Sequence, residues 1–212
     1  MARSITPRRS TAGALPQWIV PQLTQLVDAA PDGDSWLHEI KFDGYRMHAR
    51  LDRGTVKLLT RTGLDWTHKY PAIAKAFASL PARHAYLDGE LCGIRADGTT
   101  SFSLIPNASD TGNSEALVFF LFDLLHLDGE AIGARPLTER KKRLRALLAD
   151  ARSPLQFSDH QIGSGQAFYK QACGLKLEGI VSKRADAPYA DSFSQPFSGS
   201  SALLSPRTWA RR

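Results

Sequence analysis

Apolar and polar positions along the chain predict several β-strands and a few helices. The most apolar stretch runs from Leu117 to Leu125, is interrupted only by Asp123 and is rich in phenylalanine, which is typical of a strand buried on both faces. Apolar residues at helical spacing predict helices over 71–80, 137–151 and 164–173, and alternating or β-branched runs predict strands over 36–46, 47–51, 55–60, 85–94 and 179–182.

The order of these elements predicts the fold class. Asp52-Arg53-Gly54 turns a hairpin between two of the predicted strands, and Arg95–Gly98 turns the chain after another. Strands and helices do not alternate regularly, so we expect an α+β fold with mixed or antiparallel sheets flanked by helices. Residues 16–189 carry the structured pattern. Residues 1–15 are polar and basic, and residues 190–212 begin with a serine-rich stretch, so both ends are predicted to be disordered tails.

Charge and cysteine content add little to this picture. The chain carries 27 Lys and Arg against 21 acidic residues, a net charge of +6 that permits binding to a polyanion. The basic run Arg140–Arg143 lies on a predicted helix, where it forms either a solvated face or a nucleic-acid contact. Cys92 and Cys173 have no metal-ligand spacing. Without an apolar run long enough to span a bilayer or an apolar leader, we expect a cytoplasmic protein with no membrane partner.

The segment Glu39–Arg46, with the sequence Glu-Ile-Lys-Phe-Asp-Gly-Tyr-Arg, has two interpretations. Asp43-Gly44 is a strong turn dipeptide, so Lys41 could be a solvated strand residue beside a hairpin turn. Alternatively, Lys41 is a nucleophile, because a lysine amine becomes reactive when its surroundings lower its pKa or supply a proton acceptor. Other parts of the chain must decide between them.

Four further segments carry polar residues that could share a cleft with Lys41: Thr60–Gly63, Leu87–Glu90, Phe122-Asp123 and Glu178–Lys183. Each alone has an ordinary interpretation as a surface charge, a hairpin turn, a core aromatic or a solvated ion pair. Together and in this order they resemble the covalent nucleotidyltransferases: ATP-dependent DNA ligases and, more distantly, RNA ligases and mRNA capping enzymes.

Longer stretches narrow the resemblance. Residues 36–46, 59–67 and 120–130 resemble the ligase domain of bacterial ligase D, which serves non-homologous end joining, and the similarity runs from about Leu15 to Tyr189. It implies the ATP-grasp-like nucleotidyltransferase fold of DNA ligases, in a bacterial, nucleoid-associated protein acting in DNA repair and recombination. The implied partners are nicked or broken duplex DNA, Ku-type end-joining proteins and a separate OB-fold chain.

The resemblance also implies a reaction. Lys41 attacks the α-phosphate of ATP to form lysyl-AMP, the AMP passes to a DNA 5′-phosphate, and the 3′-hydroxyl at the nick displaces it. Magnesium, or manganese in its place, accompanies a triphosphate substrate and hard oxygen ligands.

Site residues follow from the resemblance, position by position. Glu39 reads the adenine amine, Phe122 and Val181 stack on the base, and Ile40 also borders the nucleotide. The remaining residues serve the ribose, the phosphates, the metal or the motifs themselves: Arg46 and Arg61 for ribose and phosphates, Lys183 for phosphate, Glu90 for ribose or metal, Glu178 for metal, and Asp43, Gly44 and Asp88 as motif support.

One family motif is missing. An aromatic residue followed by alternating lysines is expected about twenty positions beyond Glu178, where those lysines contact the α-phosphate, yet residues 197–201 hold no cation. Either the tail is a diverged or frame-shifted remnant, or Arg211 in Thr208–Arg212 supplies a charge by another route. No OB-fold domain is expected in this chain.

Three functions therefore remain open: an active ATP-dependent DNA ligase, a catalytically impaired remnant that binds only nucleotide or DNA, and an RNA ligase or capping-type transferase.

Overall fold

A computed structural model describes residues 13–106, 116–189 and 201–205, which form two β-sheets flanked by helices. The strands are β1 Gln25–Leu26, β2 Trp36–Ile40, β3 Tyr45–Asp52, β4 Thr55–Thr60, β5 His84–Ile94, β6 Thr100–Ser101, β7 Leu117–Leu127, β8 Glu130–Ala131, β9 Leu155–Phe157, β10 Gln161–Ile162, β11 Ile180–Arg184 and β12 Ser201–Leu204. The helices are α1 Pro71–Ala78, α2 Leu137–Leu147 and α3 Gly165–Gly174, and Thr67–Lys69 form a 3-10 turn. The predicted α+β class is confirmed.

The larger sheet has the order β4-β3-β5-β7-β8, with β6 beside β5 and β9 beside β7. Its main pairs are antiparallel, whereas β7 and β9 run parallel. The hairpin predicted at Asp52–Gly54 is confirmed as β3–β4. The apolar stretch that begins at Leu117 is a central strand, and most of its residues are buried on both faces, as predicted. Helices α1 and α2 cover this sheet and close the main hydrophobic core.

The smaller sheet has the order β1-β12-β11-β2-β10. Strand β11 lies antiparallel to both β2 and β12, and β12 runs parallel to β1. Helix α3 packs on β2 and β11 over a second, smaller apolar cluster, whose buried members are Ala30, Ala172, Ile180 and Leu204.

The continuous strand predicted over 36–46 is wrong, because the chain leaves one sheet at Ile40 and enters the other at Tyr45. Strands β2 and β3 are not hydrogen-bonded to each other, so the hairpin interpretation of Asp43-Gly44 is also wrong. The crossing segment 41–44 runs close to β5. A Cβ at Gly44 would lie 2.7 Å from Cys92 Sγ and 3.0 Å from Glu90 Cγ, so only glycine fits this close approach.

The prediction of disorder after residue 190 is wrong for Ser201–Leu204, which form β12. Ala202 and Leu204 of this strand are buried, so apolar burial on one face offsets the weak strand propensity of the serines around it. At the other end, the order begins before Pro16, since the Gly13 N–H donates to the Gly129 carbonyl oxygen at 2.9 Å. The predictions for residues 1–12, 190–200 and 206–212, Arg211 included, lie outside the described residues.

Candidate active site

A cavity of about 170 Å³ opens where the two sheets meet. Eight of the predicted site residues line it, and they come from four separate parts of the chain: Glu39, Ile40, Lys41 and Arg46, then Glu90, then Phe122, then Val181 and Lys183. Gln22, Thr24, Phe42, Asp123, Ser158, Tyr189, Ser201 and Leu203 complete the lining. The structure therefore brings the separate motifs of the sequence together around one space.

Lys41 is the first residue beyond β2, and its backbone N–H donates to the Gly179 carbonyl oxygen at 2.9 Å. This bond fixes the residue beside the start of β11. The Lys41 Nζ forms an ion pair with Glu178 Oε1, and about a quarter of each side chain is exposed (28% and 24%). An amine that is held at the mouth of a cavity and contacts a carboxylate has a proton acceptor within reach, which a lysine nucleophile needs.

Two carboxyl groups lie close to Lys41. Glu178 Oε2 is buried and has no hydrogen-bond partner among the described residues. Burial raises the pKa of Glu90 to about 8, against the opposing effect of Arg46 and Lys41. A divalent cation would satisfy the orphaned oxygen and favour the ionised form of Glu90, so these hard oxygen donors fit Mg²⁺. Within the described ranges no cluster of three or more metal-ligating side chains occurs, so substrate oxygens and water would have to complete the coordination.

Arg46, which lines the cavity, is held by a network around the buried carboxylate of Asp88. It donates two hydrogen bonds to Asp88, from Nε at 3.2 Å and from NH2 at 2.7 Å, and a third from NH1 to the Gln22 carbonyl oxygen at 2.6 Å. The Tyr189 hydroxyl donates to the same carboxylate at 2.8 Å. Although burial opposes its ionisation, Arg46 and His48 hold the pKa of Asp88 far below its usual range. Asp88 therefore acts as a structural counterion, which leaves the Arg46 guanidinium fixed in place.

Phe122 forms an aromatic wall of the cavity. The Lys183 Nζ lies 4.3 Å from the centre of its ring, and the Arg46 Cζ lies 5.4 Å away. Val181, two residues before Lys183 on β11, also lines the cavity. An aromatic ring and an aliphatic side chain are suitable surfaces for a flat base, and the two cations keep the ring face electropositive.

Glu39 is almost fully buried, yet it is ionised. Lys141 forms an ion pair with its Oε1, and Lys183 Nζ lies 2.5 Å from its Oε2. Burial alone would raise the pKa of Glu39, but the two ammonium groups outweigh it and the pKa is lowered. Burial also lowers the pKa of Lys141, and the negative charge of Glu39 offsets only part of that effect.

Motif resemblance did not identify Lys141 and Arg140 as residues near the site. They are 1% and 2% exposed, so the solvated-face interpretation of Arg140–Arg143 is wrong for both. Arg140 donates to both oxygens of Asp123, from Nε at 2.8 Å and from NH2 at 2.9 Å. Helical spacing could have revealed this, because both basic residues fall on the apolar stripe of α2 with Leu137 and Leu144.

Three other predicted residues lie around the cavity without lining it. Arg61 is exposed and borders a neighbouring depression that shares Arg46 and Glu90 with the main cavity. The Asp43 carboxylate accepts a hydrogen bond from the Phe102 N–H at 3.0 Å and so fixes the crossing segment. Gly44 permits that segment to approach β5.

Strand β12 borders the cavity with uncharged residues. Ser201 and Leu203 line it, opposite Lys183 and Val181 of β11 in the strand register, whereas Ala202 and Leu204 alternate with them on the other face. The strand beside β11 thus supplies no cation to the cavity.

Comparison with known proteins identifies the family of the chain. The family model of the ATP dependent DNA ligase domain matches residues 20–195. The multifunctional non-homologous end joining protein LigD of Pseudomonas aeruginosa is 39% identical over 186 residues, which are 86% of this chain and 22% of that protein. The SPbeta prophage-derived DNA ligase-like protein LigB of Bacillus subtilis is 30% identical over 173 residues, with 81% of this chain and 63% of that protein covered. The chain thus spans about a fifth of the length of the LigD relative.

Among solved structures, a mycobacterial DNA ligase D complexed with ATP and MES superimposes with a TM-score of 0.74 at 31% identity, over 88% of this chain and 60% of that one. In the part of the chain that the structure describes, no helix is long and apolar enough to cross a membrane. The fold and these similarities agree, and the chain belongs to the ATP-dependent DNA ligase family, as an adenylation domain related to the ligase domain of LigD.

Proposed function

We propose that this domain transfers AMP from ATP through Lys41 to a DNA 5′-phosphate and so takes part in sealing nicks or breaks. The observation that carries the proposal is the position of Lys41, whose Nζ lies at the mouth of the cavity and contacts Glu178. In the first step the neutral amine attacks the α-phosphorus, an N–P bond forms, the bond to the β-phosphate oxygen breaks, and pyrophosphate leaves. Glu178 is placed to accept the proton that the ammonium must lose.

The size of the cavity supports a nucleotide that enters base first. A volume of about 170 Å³ is smaller than the ~300–1,000 Å³ usual for sites that enclose a whole drug-sized ligand, so it suits a base and part of a sugar, with the phosphates near the mouth. We infer that the base packs between Phe122 and Val181 and presents its amino edge to Glu39. Arg46, Lys183 and Arg61 then lie towards the ribose and phosphates.

Glu90 and Glu178 are the residues that would hold a divalent cation. A bound Mg²⁺ would supply charge neutralisation at the phosphates and favour the neutral form of the Lys41 amine. This chain itself contributes the carboxyl groups of Glu90 and Glu178 beside Lys41, and Oε2 of Glu178 has no hydrogen-bond partner among the described residues.

We further propose that the substrate is nicked or broken duplex DNA in non-homologous end joining, with Ku-type proteins or an OB-fold chain as partners. The similarity to LigD supports this, as does the net charge of +6. An RNA ligase or capping-type transferase is a weaker candidate because the matching family model is that of DNA ligases.

The test is to incubate the protein with ATP labelled at the α-phosphate and Mg²⁺, and then to add nicked duplex DNA. We expect label on the protein that moves to the DNA, and neither event for Lys41→Ala. Lys57→Ala is the matched control, since Lys57 is an exposed lysine on β4. Protein label in Lys41→Ala, or none in the wild type, would contradict the proposal. Nicked RNA offered in parallel distinguishes an RNA ligase.

A second candidate function is nucleotide binding without covalent transfer. It is favoured by the absence of a cation from residues 197–201, where the family resemblance leads one to expect alternating lysines, and by the uncharged Ser201 and Leu203 with which β12 borders the cavity. This candidate predicts that ATP and AMP bind to the wild-type protein in equilibrium measurements while no label becomes covalent. The same labelling experiment therefore separates the two.

A further inference from the structure

The carboxylate of Glu39 is held by two lysines that differ in their surroundings. Lys141, on α2, is 1% exposed and does not line the cavity, and its Nζ also donates to the Ser158 carbonyl oxygen at 3.0 Å. Lys183, on β11, does line the cavity and has a partly exposed side chain. One partner of Glu39 is thus buried behind the site, and the other stands within it.

A nucleotide base in the cavity would affect the two lysines differently. The Lys183 Nζ lies 4.3 Å from the centre of the Phe122 ring, so a base stacked on that ring competes with it for the same space. If Lys183 turns towards the phosphates, Glu39 loses one counterion. Lys141 keeps its contacts with Glu39 and Ser158 because it lies outside the cavity, and it then remains as the counterion of a deeply buried carboxylate.

The ionisation state of Glu39 decides which base edge it can pair with. An ionised carboxylate only accepts hydrogen bonds, so it pairs with an amino group such as that of adenine and repels the carbonyl oxygen that guanine presents at the same position. A protonated carboxyl also donates a hydrogen bond and accepts either edge. Discrimination between the two bases therefore depends on keeping the carboxylate charged when the base is present.

We propose that Lys141 is a positioning residue that sets the base specificity of the cavity, by holding Glu39 as a hydrogen-bond acceptor without touching the nucleotide. This inference rests on the proposed function, since it assumes that the cavity takes a nucleotide with its base towards Glu39. It assigns a role in the site to a residue of α2, a helix on which Arg140 binds Asp123 and Arg143 and Arg145 form ion pairs at the surface.

Other charged groups near Glu39 affect how it titrates. Lys183 faces it from β11, and His160 faces the same pair from the segment before β10. Asp123 of β7 acts on Lys141, but both of its oxygens are bonded to Arg140. Burial lowers the pKa of His160 below its usual value, so this ring is neutral above pH 7 and does not titrate between pH 7 and 9.

The experiment is equilibrium binding of AMP and GMP by calorimetry between pH 7 and 9, with thermal unfolding to check each variant. The wild-type protein should prefer AMP at every pH. In Lys141→Gln, Glu39 should be protonated at pH 7 and lose its charged hydrogen bond to the adenine amino group. We therefore expect AMP binding at pH 7 to weaken by about tenfold or more, and the preference over GMP to shrink. The preference for AMP over GMP should then recover as pH rises and Glu39 ionises, whereas the wild-type preference should stay constant. The ratio of the two affinities is used because Glu90, whose pKa is about 8, also titrates in this range and acts on both nucleotides.

Three further variants complete the test. Lys141→Arg should largely restore the preference for AMP, and Lys142→Gln, the same change at the exposed neighbouring position, should leave it intact. Glu39→Gln should shrink the preference with Lys141 in place, which keeps the proposal testable should Lys141→Gln fail to fold. An undiminished preference in folded Lys141→Gln, or in Glu39→Gln, overturns this inference alone. A wild-type protein that binds neither nucleotide overturns the proposed function as well.

Discussion

At the scale of single residues, the cavity is lined and supported by pairs of buried or partly buried charges. Lys41 faces Glu178, Arg46 faces Asp88, and Glu39 is shared between Lys141 and Lys183. Because removing one partner of a buried pair leaves the other uncompensated, substitutions here change both stability and ionisation. Glu90 differs from the carboxyl groups of Glu39 and Asp88, since its pKa is raised rather than lowered.

Glu90 makes the stability of the protein depend on pH in a definite direction. Its folded pKa of about 8 lies above the unfolded value of about 4.3, so the folded state holds an extra proton between these values. Stability therefore falls as pH rises through this window, by up to about 1.4 kcal/mol per unit.

Glu90→Gln should remove this part of the pH dependence, because the amide does not titrate. Urea unfolding between pH 5 and 9, in the presence of a chelator, measures it. The exposed carboxylate of Asp150 provides the control, since Asp150→Asn should keep the slope of the wild type. Equal slopes for the wild type and Glu90→Gln would show that burial does not raise the pKa of Glu90.

At the scale of elements, α2 is joined to β7 by Arg140, which also donates from NH1 to the carbonyl oxygens of Arg135 at 2.5 Å and Ala187 at 3.0 Å. We expect Arg140→Ala to cost about 3–5 kcal/mol of unfolding free energy, because Asp123 would be left as an unpaired buried charge. Arg145→Ala on the same helix should cost less than about 1 kcal/mol, since its pair with Asp159 is exposed. Denaturant titration compares them, and similar costs would refute the structural role of Arg140.

Strand β12 gives a second prediction at this scale. Lysines at Ser201 and Leu203 would point into the cavity beside Lys183 and Val181, so the double variant Ser201→Lys/Leu203→Lys should form the protein–AMP adduct about tenfold faster by adding positive charge near the phosphates. The neutral variant Ser201→Gln/Leu203→Gln controls for side-chain size. Equal rates of label incorporation in the two would mean that cations on this strand do not limit the transfer.

Local sequence patterns predicted individual strands and helices better than they predicted which strands lie next to each other. The β3–β4 hairpin and the buried strand β7 follow from turn chemistry and apolar runs, which act within a few residues. The crossing at Lys41–Gly44 does not follow from local patterns, since it depends on β5 lying close to Gly44. The order at Ser201–Leu204 likewise comes from pairing with β11, about 20 residues away in the sequence, and with β1, about 180 residues away.

The site residues show the same difference between what local sequence indicates and what contacts between distant elements decide. Motif resemblance identified Lys41, Phe122 and Lys183, and the structure places all three on one cavity. It missed Lys141, because a lysine in a basic run on a helix is usually solvated, and only the packing of α2 against β7 buries it.

At the scale of the whole molecule, the cavity lies between two sheets, so a bound nucleotide should stabilise both. AMP at about one hundred times its dissociation constant would add about 2.7 kcal/mol, which for a chain of this size raises the Tm by about 5–10 °C. Phe122→Ala should lose most of this shift, whereas Phe102→Ala, which removes an exposed ring outside the cavity, should keep it. Differential scanning calorimetry makes the comparison, and an equal shift in both variants would place the nucleotide elsewhere.

The central claim is that Lys41 receives AMP, and peptide mapping by mass spectrometry tests it most directly. The protein is incubated with ATP and Mg²⁺, digested, and searched for peptides that carry the mass of an adenylyl group. The predicted result is an adduct on Lys41 that disappears when pyrophosphate is added back, because the transfer is reversible. No adduct, or an adduct on another lysine such as Lys183, would contradict it.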